Sequence, residues 1–196
     1  MDYRPALRQR SGVGEYVHRL AQALQYRLRS PDILTLFSSS WKDRLPPEAV
    51  PGARRVDVRI PVSALNLAWH RLEWPPAEWL AGPLDVTHSM HPLLLPARRA
   101  VAFVTVHDLY FLEHPEQTSG EIRRDYPALA HRHAQRAAGI IVPSDYTRTL
   151  VVERLGVPAG RVTVVSPGAP DWPARAEPPA PGPILFVGTT EPRKNV

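Results

Sequence analysis

Short apolar segments of strand length alternate with longer segments of helical periodicity along most of this chain, and that alternation restricts the fold more than any other feature. Apolar residues recur three to four positions apart in residues 15–29 and 119–138, which is the spacing of one helix face. Continuous apolar runs of strand length lie between and around them, at residues 33–37, 100–106, 139–143 and 161–165. Strands that alternate with helices form βαβ units, so the sequence predicts an α/β fold with a doubly wound parallel sheet.

Several residues mark where these elements begin and end. Ser119 and Ser144 each precede a helical segment, and each can accept a hydrogen bond from its first turn as an N-cap does. Gly156 stands at the C-terminal end of the helix that follows Ser144, where glycine adopts the left-handed conformation at little cost. Segment 56–62 alternates polar and apolar residues and contains Pro61, which predicts a strand near an edge of the sheet.

The two ends of the chain differ from a complete doubly wound domain. Residues 1–14 are interpreted as a loop rich in Arg and Gly, although such a domain normally opens with a strand, so we expect the first strand to be missing. Prolines crowd residues 168–182, which predicts a linker, and residues 183–196 open a second unit with an apolar strand. The predicted organisation is an N-terminal domain at 1–167, the linker, and the start of a truncated C-terminal domain at 183–196.

Composition and charge exclude several classes of protein. The chain has no cysteine, which excludes disulfides and thiolate metal sites. No apolar run reaches the roughly 18 residues of a membrane span and no signal peptide is visible, so we expect a cytoplasmic protein. The net charge is +5 and the basic residues are nearly all arginine; an ordinary solvated basic surface is favoured for them, and attraction to phosphorylated ligands or an anionic membrane face is the alternative. The arginines are dispersed without interleaved aromatic residues, so nucleic-acid binding is not expected.

Polar side chains directly follow the most apolar strand. His107 and Asp108 stand at the strand end where parallel sheets present their ligand sites. The histidine could bind a sugar hydroxyl or transfer a proton, and the aspartate could orient it; local backbone capping is the alternative for both. His88 and His91 follow the preceding strand and could line the same rim, whereas a metal site built from these histidines has little specific support.

Two glycine-containing segments indicate contact with an anionic ligand. Gly12 and Gly14 stand where a loop enters the first helix and would open space for a ligand, unless they form only an ordinary glycine-rich helix start. A third glycine is missing, so the pair is not a dinucleotide-binding fingerprint. Near the end of the chain, a strand runs into Gly188 and then the basic pair Arg193 and Lys194, which suits an anion.

Three further groups of residues have more than one interpretation. A solvated helix face is favoured for His131 and His133. Helix capping is favoured over ligand contact for Ser144 and Asp145. Core packing is favoured over contact with a membrane for the apolar residues of segment 65–79, which are Leu65, Leu67, Trp69, Trp74 and Trp79.

Taken together, these segments resemble the glycosyltransferase family 4 group, whose members have the two-domain GT-B fold. The resemblance covers essentially the whole chain, and its pieces come in the expected order, at residues 2–5, 11–17, 104–109, 140–147, 164–168 and 184–195. The most specific piece runs from Glu191 to Asn195. The resemblance implies that the chain is the Rossmann-like N-terminal half of a GT-B enzyme with the start of its C-terminal domain.

The resemblance also implies an activity. Family members transfer a sugar from a nucleotide-diphosphate donor to an acceptor, with retention at the anomeric carbon and usually without a metal or other cofactor. The expected enzyme is a hexosyltransferase that builds a surface polysaccharide or a glycolipid. By the same resemblance, Arg193 and Lys194 contact the donor diphosphate and offset charge on the leaving group, and Gly12 and Gly14 lie near the phosphates.

The resemblance assigns the catalytic centre to His107, which would touch the transferred sugar, and to Asp108, which would support the histidine. The N-terminal domain would supply most contacts to a glycan or lipid-linked acceptor. A lipid acceptor would bring peripheral contact with the inner face of the membrane, and the aromatic residues of segment 65–79 are the candidates for it.

One departure from the family pattern bears on activity. The family's donor site lies mostly in the C-terminal domain and includes a pair of glutamates, whereas only Asn195 and Val196 follow Lys194 in this sequence. We therefore expect little donor affinity and no transfer by this chain alone. Two alternatives remain open: a stand-alone or degenerate sugar-binding domain, and another GT-B enzyme such as a nucleotide-sugar epimerase.

Overall fold

The computed structural model describes residues 1–7, 10, 12–118, 120–169, 173 and 186. Within these residues, six helices and six strands alternate broadly as the periodicity predicts. In chain order they are α1 (Val13–Arg27), β1 (Thr35–Ser39), β2 (Arg54–Val58), α2 (Val62–Leu72), α3 (Ala77–Ala81), β3 (Val86–Ser89), β4 (Val101–Thr105), α4 (Tyr110–Glu113), α5 (Gly120–Arg136), β5 (Gly139–Val142), α6 (Asp145–Leu155) and β6 (Val162–Val164). None of the described helices is long and apolar enough to cross a membrane.

Every described strand pair is parallel. β1 pairs with β2, and β3, β4, β5 and β6 pair in that order. Parallel pairing requires crossover connections. Helices provide them between β4 and β5 and between β5 and β6, whereas the non-helical segments 40–53 and 90–100 connect β1 to β2 and β3 to β4. The α/β fold with parallel strands, expected from the alternation of apolar and helical segments, is therefore confirmed.

The first three residues join the two sets of strands. The Phe37 N–H donates to the Met1 carbonyl at 2.9 Å, and the Tyr3 N–H donates to the Phe37 carbonyl at 2.8 Å. On the other side, the Asp2 N–H donates to the His88 carbonyl at 2.9 Å. The lateral order is therefore β2, β1, residues 1–3, β3, β4, β5 and β6, which is the order of a Rossmann-like sheet.

This arrangement corrects one part of the sequence analysis, which assigned residues 1–14 to a loop. Residues 1–3 hydrogen-bond to Phe37 on one side and to His88 on the other, and so lie at the centre of the sheet. Three residues with a charged one in the middle have no apolar periodicity, so only their hydrogen bonds to Phe37 and His88 identify the position. A short 3₁₀ turn, Arg4–Ala6, then leads towards α1.

Helices cover both faces of the sheet. Successive residues of β1 point to opposite sides: Leu36 packs in a cluster with Val17 and Ala21 of α1, while Phe37 packs with Leu65 and Trp69 of α2. A third cluster joins β4 and β5 to the last two helices, through Val104, Val106, Ile140, Val142, Ala130, Ala134, Val151 and Leu155.

The structure confirms the predicted edge strand and two of the predicted caps. β2 pairs with β1 and with no other described strand. The Ser144 hydroxyl oxygen accepts from the Thr147 N–H at 3.2 Å, and Gly156 ends α6 with a φ of 63°. Ser119, most of the proline-rich segment 168–182 and all but one residue of 183–196 lie outside the described residues.

Candidate functional site

The strand order identifies one crevice where a ligand site is expected. In an open parallel sheet, ligands bind beyond the carboxyl ends of the strands, at the point where the strand order reverses. Here that point lies between residues 1–3 and β3. The loops that leave these segments, together with the loop after β4, carry Arg4, Gly12, His91 and His107.

Gly12 begins α1 on the side of this crevice. Its φ is 51° and its ψ is −108°, a conformation that side-chain-bearing residues rarely adopt. A Cβ atom at this position would meet nothing within 4 Å. The glycine is therefore explained by its backbone conformation at the start of a 15-residue helix.

Gly14 has a different role. It is buried, and a Cβ atom there would lie 2.7 Å from the Pro5 carbonyl oxygen. Glycine at this position allows α1 to pack directly against the 3₁₀ turn. Of the two glycines that the sequence analysis grouped together, only Gly12 faces open space.

His107 lies against α1. Its ring meets the Tyr16 ring edge to face, with centroids 4.9 Å apart and an interplanar angle of 89°. One ring nitrogen hydrogen-bonds to the Met90 backbone, and Nε2 is buried without a partner among the described residues. Because the bond to the Met90 carbonyl uses Nδ1–H, the lone pair is on Nε2, which can accept a proton or a hydrogen bond from a ligand hydroxyl.

The electrostatic surroundings of His107 keep it neutral. Burial lowers the pKa of His107, and this outweighs the Asp108 charge and the Met90 hydrogen bond, which both raise it. Asp108 itself is exposed, and its Oδ1 accepts the Tyr110 N–H at 3.1 Å at the start of α4. The aspartate thus anchors the turn after His107 and acts on the imidazole through its charge.

A polar chain beneath the crevice connects three elements. The Tyr16 hydroxyl hydrogen-bonds to the Thr105 side chain, and Thr105 Oγ1 lies 2.8 Å from Nε2 of His88. Burial lowers the pKa of His88 to about 4, so the ring is neutral at neutral pH. These contacts hold α1, β4 and β3 together immediately behind His107.

A buried ion pair occupies the point where the strand order reverses. Arg4 forms a bidentate salt bridge with Asp2, in which Nε lies 2.9 Å from Oδ1 and Nη2 lies 2.8 Å from Oδ2. The guanidinium also donates to Asn66 Oδ1 at 2.8 Å and lies 4.7 Å from the centroid of the Trp69 ring. Burial raises the pKa of Asp2, but the adjacent Arg4 charge and hydrogen bonds outweigh it, so the pKa is lowered.

His91 completes this cluster. Its Nε2 lies 3.7 Å from Asp2 Oδ2, and burial lowers the pKa of His91 to about 4 despite that carboxylate. His88 and His91 are therefore on the expected rim, but both have protein partners. The sequence analysis missed Asp2 and Arg4; their only signal was opposite charge within a segment that was taken for a loop.

His133 is a second correction to the sequence analysis, which favoured a solvated helix face for this residue. Its side chain is only 3% exposed, whereas His131 is exposed as expected. The reason is helical periodicity, because His133 lies on the same side of α5 as the core residues Ala130, Ala134 and Ala137.

Two further sequence predictions concern the basic pair near the end of the chain and a possible metal site. Arg193 and Lys194 lie outside the described residues. Within the described part of the chain, no group of three or more His, Asp or Glu side chains is arranged to hold a metal ion. Gly12, Tyr16 and His107 lie at the crevice, and the cluster of Asp2, Arg4 and His91 lies behind them.

Comparison with known proteins gave one match. A family model described as a glycosyl transferase 4-like domain matches residues 11–168, which is most of the chain. The matched range begins just before α1 and extends beyond β6, so it includes Gly12, His107 and Asp108. No curated protein and no solved structure matched significantly.

Proposed function

Because the chain belongs to the glycosyl transferase 4-like domain family, we propose that it is the acceptor half of a retaining hexosyltransferase. The donor is a nucleotide-diphosphate sugar, and the acceptor is a glycan or a lipid-linked saccharide. The transfer site is the crevice between α1 and the loop after β4. Residues 183–196, which include Arg193 and Lys194, contribute to the donor site.

The contact between Tyr16 and His107 carries this proposal. It brings the start of α1, where Gly12 faces open space, next to a neutral histidine at the carboxyl ends of the strands, where ligands are expected. A helix start favours negative charge, because its first N–H groups lack intrahelical partners. A diphosphate near Gly12 and a sugar hydroxyl at Nε2 of His107 would use both features of the crevice.

The proposed mechanism gives each residue a distinct part. His107 accepts a hydrogen bond from a hydroxyl of the transferred sugar and so orients the anomeric carbon. Asp108 tunes the imidazole through its charge and holds the turn. Arg193 and Lys194 offset the charge that develops on the departing nucleoside diphosphate, which is the larger electrostatic contribution to the rate.

We propose peripheral membrane contact for fewer residues than the sequence analysis named. Leu65 and Trp69 are each only 2% exposed and belong to the core, so they cannot reach a bilayer. Leu67, Trp74 and Trp79 are more than half exposed. These three residues are the remaining candidates for contact with a lipid acceptor.

The test measures release of nucleoside diphosphate from UDP-glucose and GDP-mannose, with octyl glucoside and octyl mannoside as acceptors. Two proteins are assayed: this chain, and a version extended by the codons that follow Val196 in frame. Acceptor-dependent release by the extended version, with retained anomeric configuration by NMR, is the expected result. His107→Ala should lower the rate by about 100-fold, whereas the exposed His131→Ala should not.

Three outcomes would contradict the proposal. Inverted configuration in the product would exclude the retaining mechanism. Conversion of the donor to an epimeric nucleotide sugar, without acceptor-dependent release of nucleoside diphosphate, would favour a nucleotide-sugar epimerase. A stop codon directly after Val196, with no release from either donor, would favour a sugar-binding domain.

A further inference from the structure

A second concave site lies at the amino-terminal ends of β4 and β5, whereas His107 follows the carboxyl end of β4. It is a groove of about 730 Å³ next to the first residues of β4 and the residue before β5, Ala138. His107 follows Val101 by six residues of extended chain, so the two sites are about 20 Å apart. The groove falls within the range of about 300–1,000 Å³ that small-molecule sites occupy.

Two exposed tryptophans form one side of the groove. Trp74 is 54% exposed and Trp79 is 60% exposed. Their rings are nearly perpendicular, at 83°, with centroids 6.0 Å apart. A ligand in the groove can therefore lie against an indole face, which is an apolar surface with a negative electrostatic potential.

The opposite side of the groove is held rigid by a carboxylate. Glu78 Oε1 accepts backbone N–H groups from Arg98 at 2.9 Å, Arg99 at 2.9 Å and Ala100 at 3.1 Å. Both arginine residues are exposed. A wall fixed in advance lowers the entropic cost of binding.

Besides Arg98, Arg99 and Arg136, the polar groups of the groove come from His133 and Glu73. Nδ1 of His133 accepts the Leu94 N–H at 2.9 Å, so the ring proton of the neutral imidazole is on Nε2. That N–H is buried without an acceptor among the described residues, and the nearest carboxylate oxygen, Glu73 Oε1, is 3.9 Å away. Arg132 and Arg136 hold the Glu73 carboxylate at 3.0 Å and 2.8 Å.

We propose that this groove binds a neutral oligosaccharide, at a site separate from the transfer crevice. A sugar ring has the matching chemistry, because its C–H face packs on an indole while its hydroxyls both donate and accept. One hydroxyl accepts from Nε2–H of His133 and donates to Glu73. This inference depends on the groove alone and does not require transfer at His107.

The position of the polar groups favours a saccharide over a membrane surface. The His133 side chain is only 3% exposed, so a flat bilayer cannot reach its free N–H. The groove is lined by both signs of charge, with Glu73 and three arginines, Arg98, Arg99 and Arg136, so phosphatidylglycerol vesicles serve as the anionic alternative in the test. A glycan that extends from the acceptor would fit such a site.

The test measures binding of maltotriose, cellotriose and α-mannotriose by saturation-transfer NMR and calorimetry. At least one trisaccharide should bind with a Kd of about 1 mM or below. Trp74→Ala and Trp79→Ala should each weaken binding by about tenfold. Trp41→Ala is the matched control, since Trp41 is 68% exposed and does not line the groove, and it should leave the Kd unchanged.

Two further variants separate an effect at the groove from general misfolding. Glu73→Gln keeps the shape of the side chain and should also weaken binding, whereas Glu15→Gln, at a surface ion pair that does not line the groove, should not. Circular dichroism checks that each variant folds. Absence of binding by all three trisaccharides, or equal binding by wild type and both tryptophan variants, would overturn the proposal. Tryptophan-dependent binding to phosphatidylglycerol vesicles without saccharide binding would overturn it in favour of a membrane contact.

Discussion

The ring of His107 meets the ring of Tyr16 edge to face, and this contact joins the loop after β4 to the first helix. The Tyr16 hydroxyl extends the connection to Thr105. Both contacts lie at the carboxyl edge of the sheet, where the strand order reverses. The tyrosine is therefore expected to position His107 as well as to stabilise the fold.

Two substitutions of Tyr16 should separate its hydroxyl from its ring. Tyr16→Phe removes only the bond to Thr105 and should lower the free energy of unfolding by about 1 kcal/mol. Tyr16→Ala also removes the ring that packs on His107 and should cost about 3 kcal/mol. Urea denaturation measures both values, and equal losses for the two variants would mean that the ring contact contributes nothing.

Breaking the buried ion pair should be much more costly than breaking an exposed one. Asp2→Asn leaves the Arg4 charge buried without its partner and should lower the free energy of unfolding by about 3–5 kcal/mol. Glu15→Gln is the control, because Glu15 pairs with Arg19 at the surface. Guanidinium titration compares the two, and a loss for Asp2→Asn as small as that for Glu15→Gln would show that the cluster is solvated.

Stability should fall as the pH is lowered from about 6.5 to about 4. His88, His91 and His133 have pKa values lowered to about 4 by burial, whereas in the unfolded chain they titrate near 6.5. In this window the unfolded state binds more protons, so the stabilisation present above pH 6.5 is lost on acidification. Each histidine contributes at most about 1.4 kcal/mol per pH unit.

The histidines of α5 provide a control for this pH dependence. His133→Gln should reduce the slope of the unfolding free energy against pH, because one buried proton-binding group is removed. His131→Gln is the matched control, because His131 is exposed on the same helix. Denaturation curves at pH 7, 6 and 5 measure both slopes, and identical slopes for the two variants would contradict the assignment of His133 to a buried neutral state.

The two glycines near α1 should respond differently to alanine. Gly14→Ala places a methyl group 2.7 Å from the Pro5 carbonyl oxygen and should cost about 1–3 kcal/mol. Gly12→Ala meets no atom and should cost only the strain of a positive φ, about 1–2 kcal/mol. Thermal unfolding shows the order, and a larger loss at Gly12 would mean that the 3₁₀ turn moves to admit the methyl group.

Asp108 should influence His107 without contacting a substrate. Its negative charge raises the pKa of His107, so Asp108→Asn should lower that pKa further. NMR titration of the imidazole carbons measures the shift directly. An unchanged pKa would limit Asp108 to its bond with the Tyr110 N–H.

Most of the fold could be predicted, because it depends on local patterns. The apolar runs and helical periodicity located the helices and strands to within a few residues, and Ser144 and Gly156 cap α6 as their residue types predict. Residues 1–3 could not be assigned in the same way. Their place between β1 and β3 depends on hydrogen bonds to Phe37 and His88, which no local pattern encodes.

The candidate site was predicted in part. His107 could be singled out because it follows an apolar strand, and Gly12 because it precedes a helix. The neighbours of His107 could not, since Tyr16 and Met90 lie far from it along the chain. His133 shows the same limitation, because its burial depends on which side of α5 meets the sheet.

The amino-acid sequence by itself determined the α/β class, the parallel sheet and the family, since apolar periodicity and short motifs are local properties. Only the tertiary structure decided that residues 1–3 lie at the centre of the sheet, that Asp2 and Arg4 form a buried pair, and that Tyr16 packs on His107. The reason is that strand order and the tautomer of a buried histidine are set by hydrogen bonds between segments distant in sequence.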